Sequence, residues 1–159
     1  MAVARFYHLT RDPPEALLPV LIGKALEIGL RVVLRGADAE RIAALDRHLW
    51  MVDGFLPHAI KGGAQDADQP VLLVADATPL ADLPGPAAGC LITLDGAPVS
   101  APEAEAVERM CVVFDGSDEA AVATARQQWR ALTGAGLPAE YWSRDSGRWD
   151  CKARHPKVD

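Results

Sequence analysis

The sequence contains one cluster of side chains that could bind a metal ion or act as a general base: Asp46, His48, Asp53 and His58. Asp46 and His48 are two residues apart in a predicted helix, so their side chains diverge. We therefore interpret these residues as solvated or capping groups near a loop. The sequence predicts neither a catalytic site nor a metal site here.

The sequence also argues against a cysteine nucleophile and against a phosphate-binding loop. The three cysteines, Cys90, Cys111 and Cys151, form no C-x-x-C pair, and the first two fall in predicted strands, where burial makes a thiol inert. Neither G-x-x-x-x-G-K-[ST] nor G-x-G-x-x-G occurs, and the turn from Thr10 to Pro14 lacks glycine. We expect reduced thiols, a cytoplasmic protein and no cofactor.

Two arginines, Arg126 and Arg130, stand one turn apart in a predicted late helix, at the edge of an apolar stripe. The stripe consists of Val122, Ala125, Trp129 and Leu132. Guanidinium groups beside apolar side chains suit a ligand that carries both a carboxylate and a hydrophobic group. The other interpretation is that Arg126 pairs with an acidic residue such as Asp115 and that Arg130 is merely solvated.

Large apolar side chains also occur where a loop should be polar. Trp50 ends one predicted helix, and Phe55, Leu56, Pro57 and His58 follow shortly after it. Exposed aromatic side chains are typical anchors for a partner protein. The other interpretation is a loop that folds back and closes the edge of the sheet.

The end of the chain mixes aromatic and basic residues. Trp142, Arg148 and Trp149 could stack on single-stranded bases, although we expect both tryptophans to pack against the last helix. Beyond Lys152 the chain becomes polar, and residues 152–159 are expected to fray.

Charge is unevenly distributed along the sequence. The net charge is −6, but residues 1–125 carry −9 and residues 126–159 carry +3. The acidic first part disfavours a direct grip on duplex DNA, and an acidic ligand would bind near the basic end. No apolar run approaches the roughly 20 residues that span a bilayer, and the first ten residues have no signal-peptide organisation.

These residues must be positioned by alternating strands and helices. Helices are predicted from an Asp12 cap to Gly29, from an Asp38 cap onward, and over 118–135. Pro19 should start or kink the first helix. Apolar strands are expected at 2–9, 30–34, 71–75, 90–94 and 110–114, with an edge strand at 140–143. The pattern predicts a single α/β domain over 1–159: three layers around a mostly parallel sheet, Rossmann-like without a phosphate-binding loop.

Over nearly its whole length the sequence resembles the chi subunit of bacterial DNA polymerase III, a clamp-loader accessory subunit. The resemblance rests on Phe6-Tyr7, Leu49-Trp50, Phe55-Leu56-Pro57-His58, Gln69-Pro70-Val71-Leu72-Leu73, Ala125-Arg126-Gln127-Gln128-Trp129, Tyr141-Trp142 and Gly147-Arg148-Trp149. It implies a replication adaptor without catalytic activity that contacts DNA mostly indirectly and no membrane.

The resemblance also implies two binding surfaces. Arg126 matches the arginine of a pocket that receives the acidic C-terminal tail of single-stranded DNA-binding protein (SSB), and Tyr141 falls on the rim of that pocket. Val122 stands where well-known members have a lysine, a contact for which Arg130 or Arg144 could compensate.

The second implied surface covers residues 50–58. Trp50 and Phe55 match aromatic residues that contact the psi subunit or a competing helicase, and Leu56, Pro57 and His58 complete this surface.

Two other functions remain open from the residues alone. One is an α/β enzyme that acts on a small nucleotide or acid, with Asp46, His58 and Arg126 as its polar groups. Such an enzyme needs these side chains to converge on one cleft. The other is direct binding of single-stranded DNA through the basic C-terminal end, with steep salt dependence.

Overall fold

A computed structural model describes residues 3–10, 12–51, 56–144 and 146–156. The strands are β1 (Ala4–Leu9), β2 (Val32–Arg35), β3 (Ala59–Ile60), β4 (Val71–Val74), β5 (Cys90–Leu94), β6 (Arg109–Asp115), β7 (Ala139–Ser143) and β8 (Asp150–His155). The helices are α1 (Pro14–Glu27), α2 (Ala39–Met51), α3 (Ala101–Ala106) and α4 (Glu119–Gly134), with short 3-10 turns at Asp66–Asp68 and Leu80–Asp82. None of the helices in these ranges is long and apolar enough to cross a membrane.

The eight strands form one sheet in the order β3-β4-β2-β5-β6-β1-β7-β8. Every neighbouring pair is parallel except β7 and β8, which are antiparallel. Helices α1 and α2 pack on one face of the sheet, and α3 and α4 pack on the other. The three-layer, mostly parallel α/β fold predicted from the sequence is confirmed.

The central strands are apolar along their whole length because both faces of the sheet are covered. All residues of β2, β4 and β5 are buried. Alternate residues join different cores: Leu34 packs with α1 and α2, whereas Val33 packs with α3 and α4.

Helix α1 differs from the sequence prediction at its start. Asp12 does not cap the helix, because Pro13 is the N-cap residue and no side chain accepts a hydrogen bond there. Asp12 instead accepts a hydrogen bond from Arg144 Nη1 at 2.9 Å. The end of the helix matches the prediction, since Gly29 adopts a left-handed φ of 80° just beyond the C-cap.

Pro19 lies inside α1 rather than at its start. Because proline has no amide hydrogen, the carbonyl of Glu15 one turn earlier loses its helical donor. His48 Nε2, from α2, lies 3.1 Å from that carbonyl oxygen and takes the place of the missing donor. A neighbouring helix therefore supplies the hydrogen bond that Pro19 removes.

The later helices begin where the sequence predicts. Asp38 Oδ1 accepts from the amide of Glu40 at 2.8 Å, and Asp118 Oδ1 accepts from the amide of Ala120 at 2.9 Å. Strand β5 has the predicted bounds, and β4 and β6 agree with the prediction to within a residue.

Three elements are absent from the sequence prediction: β3, α3 and β8. The sequence predicts a frayed tail from Lys152 onward. This prediction is wrong for residues 152–155, because β8 pairs with β7 up to and including His155. Strand β7 is therefore covered on both sides, by β1 and β8, and is not the edge strand that the sequence suggests.

Candidate functional site

Helix α4 packs firmly against the sheet and exposes two arginines to solvent. Ala125 and Leu132 are buried against the sheet, and Trp129 packs half-buried beside them. Arg126 and Arg130 are both exposed. The 3 and 4 residue spacings thus place the apolar stripe inward and the guanidinium groups outward, as the sequence predicts.

The exposed arginines of α4 are free of ion pairs within the described part of the chain. Among the residues that the structure describes, neither Arg126 nor Arg130 makes an ion pair. Asp115, the partner considered for Arg126, is instead bound by Ser117, whose Oγ and amide lie 2.6 and 2.9 Å from its Oδ1. These bonds hold the pKa of the Asp115 carboxyl below its usual range.

An aromatic cluster lies beside α4. The ring of Trp129 meets Phe6 edge-on with centroids 5.3 Å apart, and Tyr141 lies 6.3 Å from Trp129 and 5.9 Å from Phe114. The Tyr141 hydroxyl is 2.6 Å from His8 Nδ1, so its position is fixed by a hydrogen bond.

Val122 packs half-buried against the same core as Trp129 and Tyr141. The structure therefore brings Val122 and Tyr141 to the face of the sheet that α4 covers, with Arg126 one helical turn from Val122. We call the group of Val122, Arg126, Trp129, Arg130 and Tyr141 the α4 surface. Trp129 joins it through its contacts with Phe6 and Tyr141.

A second surface lies at the C-terminal end of α2. Trp50 is 54% exposed, and the next residue, Met51, is 82% exposed. The Trp50 ring stacks at a tilt on His58, with centroids 4.3 Å apart. Leu56 packs against the core and Pro57 is half-buried, whereas Phe55 lies outside the described residues.

His58 is the support of this surface rather than part of its exposed face. It is only 3% exposed. Its Nδ1 lies 2.7 Å from the carbonyl oxygen of Leu56, and its Nε2 lies 3.1 Å from both the carbonyl and a carboxylate oxygen of Asp46. Nε2 thus fastens the segment after α2 back onto that helix, and Nδ1 holds the turn from Leu56 within the segment.

We call Trp50, Met51 and the residues 56–58 behind them the α2 surface. Sequence analysis missed Met51, although a second large apolar residue beside Trp50 at a helix end is a recognisable signal of a binding surface.

Comparison with known proteins assigns the chain to a family. The family described as DNA polymerase III chi subunit, HolC, matches residues 1–140 of the 159. The chain belongs to this family. A search of curated proteins finds no match. The protein is therefore a chi-family accessory subunit of DNA polymerase III and functions in DNA replication.

The polar groups considered for an enzyme do not converge in this chi-family fold. Asp46 and His58 lie on the side of the sheet that carries α1 and α2, whereas Arg126 lies on α4 at the opposite face. Within the described part of the chain, His, Cys, Asp and Glu side chains form no group of three that could hold a metal ion.

Residues beyond the family match contribute to a cavity on the α1 side of the sheet. The cavity has a volume of about 400 Å³, and Trp142, Arg144 and Trp149 form part of its lining. The expectation that both tryptophans pack on the last helix is therefore wrong. Tyr141 occupies the α4 side of β7, so strand alternation directs Trp142 to the other face. Arg148 is exposed to solvent.

Proposed function

We propose that this chi-family subunit is a non-catalytic adaptor that binds the acidic C-terminal tail of SSB at the α4 surface. The supporting observation is the exposed Arg126, which makes no ion pair with any described residue and lies beside the half-buried Val122, Trp129 and Tyr141. A tail that ends in Pro-Phe offers the carboxylate and the apolar ring that these groups suit. Such an adaptor would act in the cytoplasm and reach DNA mostly through SSB.

Arg130 adds a second cation one turn further along α4. A tail with several carboxylates can use both guanidinium groups, whereas Val122 contributes only apolar contact. Binding is therefore expected to depend on Arg126 first and to be weaker than with a lysine at position 122. Weak binding is still useful to an adaptor, because its other contacts raise the local concentration of the tail.

The first experiment is fluorescence anisotropy with a labelled acidic peptide that ends in Asp-Ile-Pro-Phe, compared with the same peptide amidated at its C-terminus. Saturable binding of the free acid alone supports a site that recognises the terminal carboxylate. Arg126→Ala should weaken binding at least tenfold, as expected for loss of a charge-assisted hydrogen bond.

The matched control for that variant is Arg47→Ala, which removes an exposed arginine from α2. Its affinity for the peptide should equal that of the unmodified protein. Equal affinity in the Arg126→Ala variant would overturn the assignment of the tail to the α4 surface.

We infer that the α2 surface joins the subunit to a second protein, either psi of the clamp loader or a helicase. Trp50 and Met51 are adjacent, large and exposed, and exposed apolar groups of this kind commonly dominate the energy of an interface. The hydrogen bonds of His58 hold the backbone beneath them, which reduces the entropy lost on binding.

Calorimetry with purified psi tests this surface. Trp50→Ala should abolish measurable binding while leaving the affinity for the SSB tail peptide unchanged. The control is Ile28→Ala, since Ile28 is 56% exposed but lies at the end of α1. If psi binds both variants equally, the α2 surface is not its site; if psi binds neither variant nor the unmodified protein, a helicase becomes the partner to test.

A further inference from the structure

The cavity on the α1 side of the sheet is lined by residues that belong to neither the α4 surface nor the α2 surface. Strand alternation directs Arg5 and Tyr7 of β1, Arg109 of β6 and Trp142 of β7 to this side, and α1 covers them with Leu17 and Lys24. Its volume of about 400 Å³ is in the range of small-ligand sites. The cavity is therefore separated from the α4 surface by the thickness of the sheet.

The lining of the cavity is strongly basic in an otherwise acidic protein. Four cationic side chains, Arg5, Lys24, Arg109 and Arg144, line it together with one carboxylate, Asp12, and Glu140 lies behind Arg5, which gives a local charge of +2 against a net charge of −6. A concave, basic site of this kind attracts anions.

Two of the four cations are already paired. Arg144 donates to Asp12 at 2.9 Å, and Arg5 donates to Glu140 at 3.2 Å. Among the residues described by the structure, the side chains of Lys24 and Arg109 make no hydrogen bond or ion pair. Lys24 and Arg109 are thus the groups available to an anionic ligand.

Aromatic rings form another part of the wall. Trp149 meets Tyr7 edge-on, with centroids 5.4 Å apart and planes at 88°. Trp142 is half-buried and donates through its Nε1 to Glu140 at 3.2 Å. Indole faces beside cations suit a neutral planar ring that is joined to an anionic group, which is the chemistry of a base linked to a phosphate.

We propose that this cavity binds one nucleotide unit, with its phosphate at Lys24 and Arg109 and its base against Trp142 and Trp149. The unit could be a free nucleotide or one residue of single-stranded DNA. Basic side chains continue beyond the cavity: Arg148 is exposed, whereas Arg154 of β8 pairs with Glu140 at 3.4 Å, so a single strand would use Arg148 first. The site is independent of the SSB tail site, because it lies on the other face of the sheet.

The test titrates the full chain with thymidine monophosphate, with a fifteen-residue oligothymidylate and with an oligoglutamate peptide, and follows tryptophan fluorescence at low salt. Saturable binding of the monophosphate supports a site for free nucleotides. Binding of the oligonucleotide alone, weakening steeply with salt, supports a site for single-stranded DNA. Equal binding of oligoglutamate, or no binding of either nucleotide probe, would overturn the proposal.

Variants locate the binding. Lys24→Ala and Arg109→Ala should each weaken nucleotide binding roughly tenfold, as expected for one lost phosphate contact. Lys24 is exposed on α1, so its variant tests the site without disturbing the core. Arg126→Ala is the matched control, because it should weaken binding of the SSB tail at least tenfold and leave nucleotide binding unchanged. Nucleotide affinity that survives both Lys24→Ala and Arg109→Ala would exclude this cavity.

Discussion

The imidazole Nε2 of His48 lies 3.1 Å from the carbonyl oxygen of Glu15. That carbonyl would bond the amide of residue 19 in an ordinary helix, and Pro19 has none. The contact therefore fastens α2 to α1 at the point where α1 lacks a hydrogen bond of its own.

His48→Ala should accordingly lower the free energy of unfolding by about 1 to 2 kcal/mol, since it leaves a partly buried carbonyl without a donor. Urea unfolding at neutral pH measures this loss. In a Pro19→Ala background the amide of residue 19 satisfies the carbonyl, so His48→Ala should cost markedly less. An equal cost in both backgrounds would show that His48 stabilises the protein in some other way.

Arg35 and Glu103 form the most buried ion pair among the described residues, and Arg35 is only 2% exposed. Burial alone would raise the pKa of Glu103, but hydrogen bonds from Arg35 and from the amides of Leu80 and Ser100 outweigh it and lower the pKa to about 2. Because the folded-state pKa is depressed, the stabilisation is complete above the unfolded pKa near 4.5 and is lost as the pH falls towards 2.

Glu103→Gln should therefore reduce the free energy of unfolding by about 2 to 3 kcal/mol at pH 7, because the buried guanidinium loses its counter-charge. The gap between this variant and the unmodified protein should shrink between pH 4.5 and pH 2. Glu105→Gln, at an exposed position of the same helix, should leave the free energy of unfolding at pH 7 nearly unchanged. A gap that stays constant with pH would contradict the role given to the Glu103 charge.

The three cysteines differ in accessibility. Cys90 and Cys111 are 1% and 4% exposed, and the hydrogen bond between their side chains together with burial raises the pKa of the Cys90 thiol. Cys151 is half-buried on β8. A bulky disulfide reagent should modify Cys151 in the native protein and the other two only after unfolding. Cys151→Ser should remove the reaction of the native state, and rapid labelling of that variant would contradict the packing of β5 against β6.

The fold was predictable because its signals are local. Apolar runs such as 90–94 and caps such as Asp38 and Asp118 depend on neighbouring residues, and the structure agrees with them. The Asp12 cap failed because a residue distant in sequence, Arg144, binds that carboxylate. Strand β8 was missed because its side chains are mostly exposed, so its sequence lacks an apolar pattern.

The proposed binding surfaces were only partly predictable, because a sequence indicates local patterns and not contacts between distant residues. The spacing in α4 indicates which side chains face outward, and this local information was sufficient for Arg126 and Arg130. The cavity under α1 unites residues from the first and last parts of the chain, such as Arg5 and Trp149. No local pattern indicates that these residues meet.

Position 122 holds valine rather than lysine, so a substitution there should strengthen binding of the SSB tail peptide, whereas the other variants weaken binding. Val122 lies one turn before Arg126 and is half-buried beside Trp129 and Tyr141. The aliphatic part of a lysine can keep that apolar contact while its ammonium group reaches solvent. Val122→Lys should therefore add a cation to the α4 surface without opening the core.

We expect Val122→Lys to strengthen binding of the SSB tail peptide about fivefold, which is the contribution of one partly exposed ion pair. Repulsion from Arg126 should lower the free energy of unfolding by no more than about 0.5 kcal/mol. Anisotropy at two salt concentrations measures the gain, which should shrink as salt screens the added charge. Val122→Met is the control, because it lengthens the side chain without charge and should leave affinity unchanged. A similar gain for both variants would mean that the tail recognises apolar area at this position rather than charge, and the peptide's carboxylates would then have to bind at Arg126 and Arg130 alone.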